Sequence, residues 1–164
     1  MAENEFRMSN FQRTQLSHIE VLYRQIENPI ASICKLIENS VQASASSILI
    51  NLAKIRNFGA RSAEESEKFD GLCLHIKDNG VGIPKHLMHQ VCTSFGKINH
   101  TVTANDFHTA EHGVGLKLNA LRIGKTCLIL TRSGNNVSVG LLSLQFIADA
   151  GLNYIVAPVV SYEV

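Results

Sequence analysis

The chain has 164 residues, 45% apolar and 18% charged, which suits one globular domain able to bury about 70% of its unfolded surface. Its 15 basic and 14 acidic residues leave a net charge of +1, which excludes a module that grips nucleic acid by bulk charge. No run reaches the ~18 apolar residues of a membrane helix, and the polar, mixed-charge stretch from Met1 to Asn10 is no secretory signal.

Residues 1–16 read as a polar arm and residues 17–164 as one domain. Asn28 before Pro29 predicts a helix start, a capping side chain followed by a residue suited to the first helical position. Ile30, Ile33, Cys34, Ile37 and Val41 then recur at helical spacing, so the helix is expected to reach about Ala45. Residues 46–52 read as a strand. Residues 57–70 are small and charged around Gly59, which suits a hairpin or flexible turn. Residues 71–77 alternate as a second strand, closed by the turn signal Asp78-Asn79-Gly80. A short helix is predicted over 85–91, and a long polar loop over 93–111. A helix over 116–122 stops at Gly124. Strands at 126–132 and 137–144 flank Ser133-Gly134-Asn135-Asn136 as a hairpin. A last strand is expected at 154–157, before Pro158. This order predicts an α/β (α+β) two-layer sandwich, a mixed, largely antiparallel sheet with helices on one face.

Cys34, Cys73, Cys92 and Cys127 show neither zinc-site nor redox-dithiol spacing. Cys34, Cys73 and Cys127 sit inside apolar runs and read as buried small hydrophobes, and free cysteines point to a reducing, intracellular compartment. His86 and His89, and His108 and His112, stand at helical spacings without a third metal ligand in reach, and read as surface residues.

Three features carry chemistry. Lys35, Asn39 and Gln42 share one helix face, and the Asn39 amide oxygen suits a hard cation such as magnesium. Asp78-Asn79-Gly80-Val81-Gly82-Ile83 ends a strand, where glycines allow close backbone approach and a carboxylate can accept from a ligand amine. Gly113-Val114-Gly115 opens a helix, whose free N–H groups and positive dipole end suit a phosphate, with Lys117 as a nearby cation. The Walker spacing is absent. Each feature alone has an ordinary structural reading: a solvated helix stripe, a simple turn, a glycine-rich loop. Their order along the chain is much more specific.

With Lys35-Leu36-Ile37-Glu38-Asn39, Asp78-Asn79-Gly80-Val81-Gly82 and Gly113-Val114-Gly115 in that order, the sequence resembles the ATPase superfamily of gyrase, the ninety-kilodalton heat-shock chaperone, histidine kinases and MutL (GHKL). Within it the likeness is to the MORC (microrchidia) proteins. It extends through Ser94-Phe95-Gly96-Lys97, Gly115-Leu116-Lys117, Leu121-Arg122-Ile123-Gly124-Lys125, Val139-Gly140-Leu141-Leu142-Ser143 and Tyr154-Ile155-Val156-Ala157-Pro158, covering about residues 28–162.

The resemblance implies a Bergerat-type fold with ATP between sheet and helices. Asp78 would accept the adenine amino group, with Gly80, Gly82 and Ile83 shaping that pocket. Asn39 would hold Mg2+. Lys97, Gly113, Val114, Gly115, Leu116 and Lys117 would meet the nucleotide under a lid at about 93–112. It also implies a nuclear protein (a cytoplasmic one as the alternative) that dimerises with ATP, meeting chromatin proteins or DNA only through other chains or further domains, and no membrane.

The departures point to lost or weak hydrolysis. The catalytic general-base glutamate, four residues before the magnesium asparagine, is Lys35 here, and a protonated lysine cannot take a proton from water. Glu38 lies about 100° around the helix from Asn39. The family's acidic residue three after the asparagine is Gln42, and the first glycine of the lid signature is Ala110. Complete proteins of the superfamily carry a second α/β domain, which these 164 residues do not accommodate. The other readings are an ATPase using Glu38 or Glu111 as base, and an interaction domain without nucleotide.

Overall fold

The computed structural model describes residues 15–26, 28–56, 70–94 and 114–164. In chain order the elements are α1 (Leu16–Arg24), α2 (Pro29–Gln42), β1 (Ile48–Arg56), β2 (Asp70–Asp78), α3 (Lys85–Thr93), α4 (Val114–Ile123), β3 (Thr126–Ser133), β4 (Asn136–Ser143), α5 (Leu144–Asp149) and β5 (Val159–Glu163). The class is α/β with antiparallel sheets. β1 pairs with β2 from Ile48 opposite Asp78 to Arg56 opposite Asp70. β3, β4 and β5 form a second ladder in that order, with Leu130 opposite Val139 and Val139 opposite Val160.

Helices cover one face of the three-stranded sheet. α3 packs on β4 and β5, and α4 on β3, while Leu128, Leu130, Val160 and Tyr162 point to the uncovered side. Helices and strands meet in two clusters. Ile19 of α1, Leu121 of α4, Leu142 of β4 and Ile147 of α5 form one with Leu144 and Ile155. Met88 and Cys92 of α3 form the other with Ala157. Gly140 lets α3 lie close, since a Cβ there would meet Met88 Cε at 2.8 Å and Cys92 Sγ at 2.9 Å.

α2 begins as its sequence dictates: the Asn28 side chain accepts from the Ile30 N–H at 2.8 Å, and Pro29 occupies the first turn. It ends at Gln42, short of the predicted Ala45, because Ser44 turns to φ +58°. Two further expectations need correction. Residues 154–157 form no ladder strand: Tyr154 makes an isolated bridge to Gln15, and the neighbouring Ile155 and Ala157 are buried as packed coil. Their burial supplied the apolar signal that read as a strand, and the strand itself, β5, follows Pro158. The cysteines are not uniformly buried either: Cys92 is, Cys73 and Cys127 are half-buried, and Cys34 is exposed. Cys34 shares its side of α2 with Ile30 and Val41, which are exposed too, while Ser32 and Ser40 turn inward. No helix among the described residues is long and apolar enough to cross a membrane.

Candidate functional site

The loop after β2 is fixed on both sides. Asp78 Oδ2 accepts from the Ser40 hydroxyl at 2.9 Å, and Asp78 Oδ1 accepts from the Gly80 N–H at 2.9 Å. The carboxylate is thereby tied to α2 at the residue next to Asn39. The Val81 N–H donates to the Ala43 carbonyl at 3.0 Å, just past the end of α2. A Cβ on Gly80 would stand 2.6 Å from that carbonyl oxygen, which is why glycine is required there. Asn79 secures the chain entering β1: its Oδ1 accepts from the Ser46 and Ser47 N–H groups at 3.0 and 2.9 Å. Gly82 adopts φ +72° and lies against the backbone of Arg132 in β3. The Ile83 N–H donates to Thr131 Oγ1 at 2.7 Å. The loop thus bridges the two sheets.

On α2, Lys35 Nζ lies 2.7 Å from Glu38 Oε2, both side chains more than half exposed. An exposed pair of this kind contributes about 0–1 kcal/mol. The pair sits on the exposed side of α2, with Lys35 one turn before Asn39. The Asn39 amide nitrogen is buried and has no hydrogen-bond partner. Which end of an amide is nitrogen is assigned from its hydrogen bonds, so the amide presents either an oxygen or an NH2 that the protein does not engage. A ligand satisfying that group fits: Mg2+ on the oxygen, or an oxygen acceptor on the nitrogen.

α2 packs along α4. At the start of α4, Val114 and Leu116 are half-buried, and a Cβ on Gly115 would meet nothing within 4 Å, so open space faces that turn. The Asn119 side chain donates to the Gly115 carbonyl at 2.7 Å. Lys117 is wholly buried, and its ammonium donates to the Val91 carbonyl of α3. Burial pushes its pKa from 10.5 down to about 8, and the neighbouring Cys92 acts the other way. Burial likewise pushes the Cys92 and Cys127 thiols up to about 11. Arg122 Nε donates to the Ile26 carbonyl, which ties α4 to the chain between α1 and α2.

The structure therefore ties Asp78 to Ser40, the residue that follows Asn39 on α2. It sets Gly80, Gly82 and Ile83 in the loop beside them, and places Val114, Gly115 and Leu116 on the helix that packs against α2. Lys97, Gly113 and the lid at 93–112 beyond Ser94 lie outside the described residues, as do His108, Ala110, Glu111 and His112. Sequence reasoning missed Ser40; its one signal was a serine directly after Asn39, a polar residue beside the apolar Val41. Among the described residues no three of His, Cys, Asp and Glu converge on a metal position. A surface hollow of about 400 Å³ beside Gln15, Glu20 and Asn153 is lined by none of the motif residues.

A family model for the histidine kinase-, DNA gyrase B- and HSP90-like ATPases matches residues 27–163. MORC family CW-type zinc finger protein 3 of Mus musculus is 26% identical over 137 residues, which are 82% of this chain and 13% of that protein. ATPase morc-1 of Caenorhabditis elegans is also 26% identical over 137 residues, 82% of this chain and 14% of its own. Protein MICRORCHIDIA 7 of Arabidopsis thaliana is 31% identical over 105 residues, 60% of this chain and 14% of that protein. The chain thus spans 13% to 14% of the length of these relatives.

Proposed function

The chain belongs to the histidine kinase-, DNA gyrase B- and HSP90-like ATPase family, and from that premise we propose that it is a MORC-type ATP-binding domain whose hydrolysis is weak or lost. The Ser40–Asp78 hydrogen bond is the observation that carries the binding half. It holds a carboxylate at the end of β2 with one edge anchored, in a loop whose glycines let the backbone come close. That carboxylate accepts the adenine amino group. Val114, Gly115 and Leu116 at the start of α4 offer N–H groups to the phosphates. Asn39 holds Mg2+ through its amide oxygen. When bound, the ion screens phosphate charge and acts as a Lewis acid.

The weak-hydrolysis half rests on Lys35. Its ammonium is held by Glu38 and has no lone pair with which to take a proton from water. Glu38, paired to that ammonium, is a poor substitute base. ATP then acts chiefly as a ligand that orders the domain and drives pairing with a second copy. Contact with chromatin, in the nucleus, falls to other chains or to further parts of the protein.

The test is a thermal-shift titration with ATP and Mg2+. Ligand at 100 times its dissociation constant adds about 2.7 kcal/mol, so a clear rise is expected. A flat response with ATP defeats the reading in favour of a nucleotide-free interaction domain. Phosphate release then tests the second half: a slow native rate that increases in Lys35→Glu supports it. Brisk turnover by the unsubstituted chain refutes it and points to another base.

A further inference from the structure

We propose that Lys117 is a positioning residue that locks the first turn of α4 onto the last turn of α3, rather than a side chain that touches nucleotide phosphate. This rests on the ATP-binding reading above. The physics begins with the helix ends. Lys117 sits in the first turn of α4, where the dipole disfavours a cation, and a charge directed at another helix's C-terminus gains instead. α3 needs such a charge. Its last-turn carbonyls lack intrahelical donors, it carries no basic residue in that turn, and its C-cap residue Ser94 returns only one N–H, to the Gln90 carbonyl. Lys117 supplies the missing cation, with its ammonium on the Val91 carbonyl and its whole side chain out of water.

The adjacent residue reinforces the lock. Leu116 packs against Leu87 and Val91 of α3, and so does Ile83 of the loop after β2. Ile83 is in turn pinned to Thr131 through its N–H. α3 therefore relates the loop that carries Gly80 and Gly82 to the helix start that faces phosphate. The ammonium is turned inward, so what it contributes to nucleotide binding is the placement of the Val114 and Gly115 backbone.

The test compares Lys117→Met with the unsubstituted chain in three readouts. Without nucleotide, hydrogen exchange in the last turn of α3 and the first turn of α4 should speed up. ATP affinity relative to adenosine should fall by about tenfold or more, the scale of a lost charge-assisted hydrogen bond. The dependence of ATP affinity on salt should stay the same, since no phosphate contact was removed. A smaller salt dependence with unchanged exchange makes Lys117 a phosphate ligand and overturns the proposal. Unchanged ATP affinity with faster exchange makes it a structural residue only, and overturns it equally. If the unsubstituted chain does not bind ATP, the function reading fails while the exchange arm still decides whether the lock exists. If Lys117→Met does not fold, lysine-labelled native protein answers by NMR. Coupling from Nζ–H to the Val91 carbonyl that survives ATP addition supports the lock, and coupling that moves to phosphorus overturns it.

Discussion

Replacing Gly82 by alanine tests whether close backbone contact shapes the loop after β2. Two costs add there. The backbone at φ +72° lies in the left-handed region, where a Cβ costs about 1–2 kcal/mol. The new methyl would also land on the carbonyl oxygen of Arg132, with the carbonyl carbon at 2.7 Å and Thr131 Oγ1 at 3.0 Å. The obstacle is mainly strand backbone, which cannot swing aside like a side-chain tip, so overpacking adds about 1–3 kcal/mol. The total is about 2–5 kcal/mol. Gly134 provides the control. It sits in the β3–β4 turn at φ +58°, and a Cβ there would meet nothing within 4 Å. Gly134→Ala should lose only the first term, about 1–2 kcal/mol. Urea denaturation of both variants gives the difference, and each kcal/mol should lower the melting temperature by about 2–4 °C in a domain of this size. Equal losses in the two variants would show that contact with β3 is not what demands glycine at 82.

Ser40→Ala leaves Asp78 with its Gly80 contact alone. It should cost about 1.5–3 kcal/mol for a hydrogen bond to a charged group and lower ATP affinity by calorimetry; unchanged affinity removes Ser40 from the site. In urea midpoints taken against pH, Lys117, whose folded pKa of about 8 lies below its usual 10.5, should make stability rise from about pH 8, because the unfolded chain then holds more protons. Cys92 and Cys127, raised from 9.0 to about 11, act in the opposite sense above pH 9, so stability should peak between about pH 8 and 9, and Lys117→Met should abolish the rising limb. Asn39→Ala should remove most of the Mg2+ dependence of ATP binding, and a variant that keeps it places the ion elsewhere.

Much of the fold was legible because its signals are local. Asn28-Pro29 fixed a helix start, Asp78-Asn79-Gly80 a strand end, and Ser133-Gly134 a hairpin, and in each the residue type itself makes the geometry. What escaped depends on distant neighbours. α5 spans six residues, too few for a periodic pattern, and its one local sign is Ser143 accepting from the Phe146 N–H. α1 has Leu16, Ile19 and Tyr23 at helical spacing, yet its burial comes from Leu142 and Ile147, far along the chain. Ile155 and Ala157 looked like strand residues because burial, not pairing, set their composition. The candidate site rests on three separated motifs, each legible in the sequence by residue type alone. The partner of Lys117 was not, because the preference of a buried ammonium for the end of α3 is a property of two helices meeting.

α2 shows why the readable and unreadable parts divide in that way. A helix arranged for stability alone would turn Ile30, Cys34 and Val41 inward. Instead Ile30 is 67% and Val41 62% exposed, while Ser32 and Ser40 are buried. Ser32 Oγ and Asn39 Nδ2 are buried with no hydrogen-bond partner, at a cost of about 1–3 kcal/mol each. Rotating the helix to bury Ile30 and Val41 would take Ser40 away from Asp78. The helix is held in this orientation by the Ser40–Asp78 and Ala43–Val81 hydrogen bonds. Such local violations concentrate where function, not stability, sets the residue. On the ATP-binding reading proposed above, a ligand that supplies a partner to Asn39 would return part of that cost on binding.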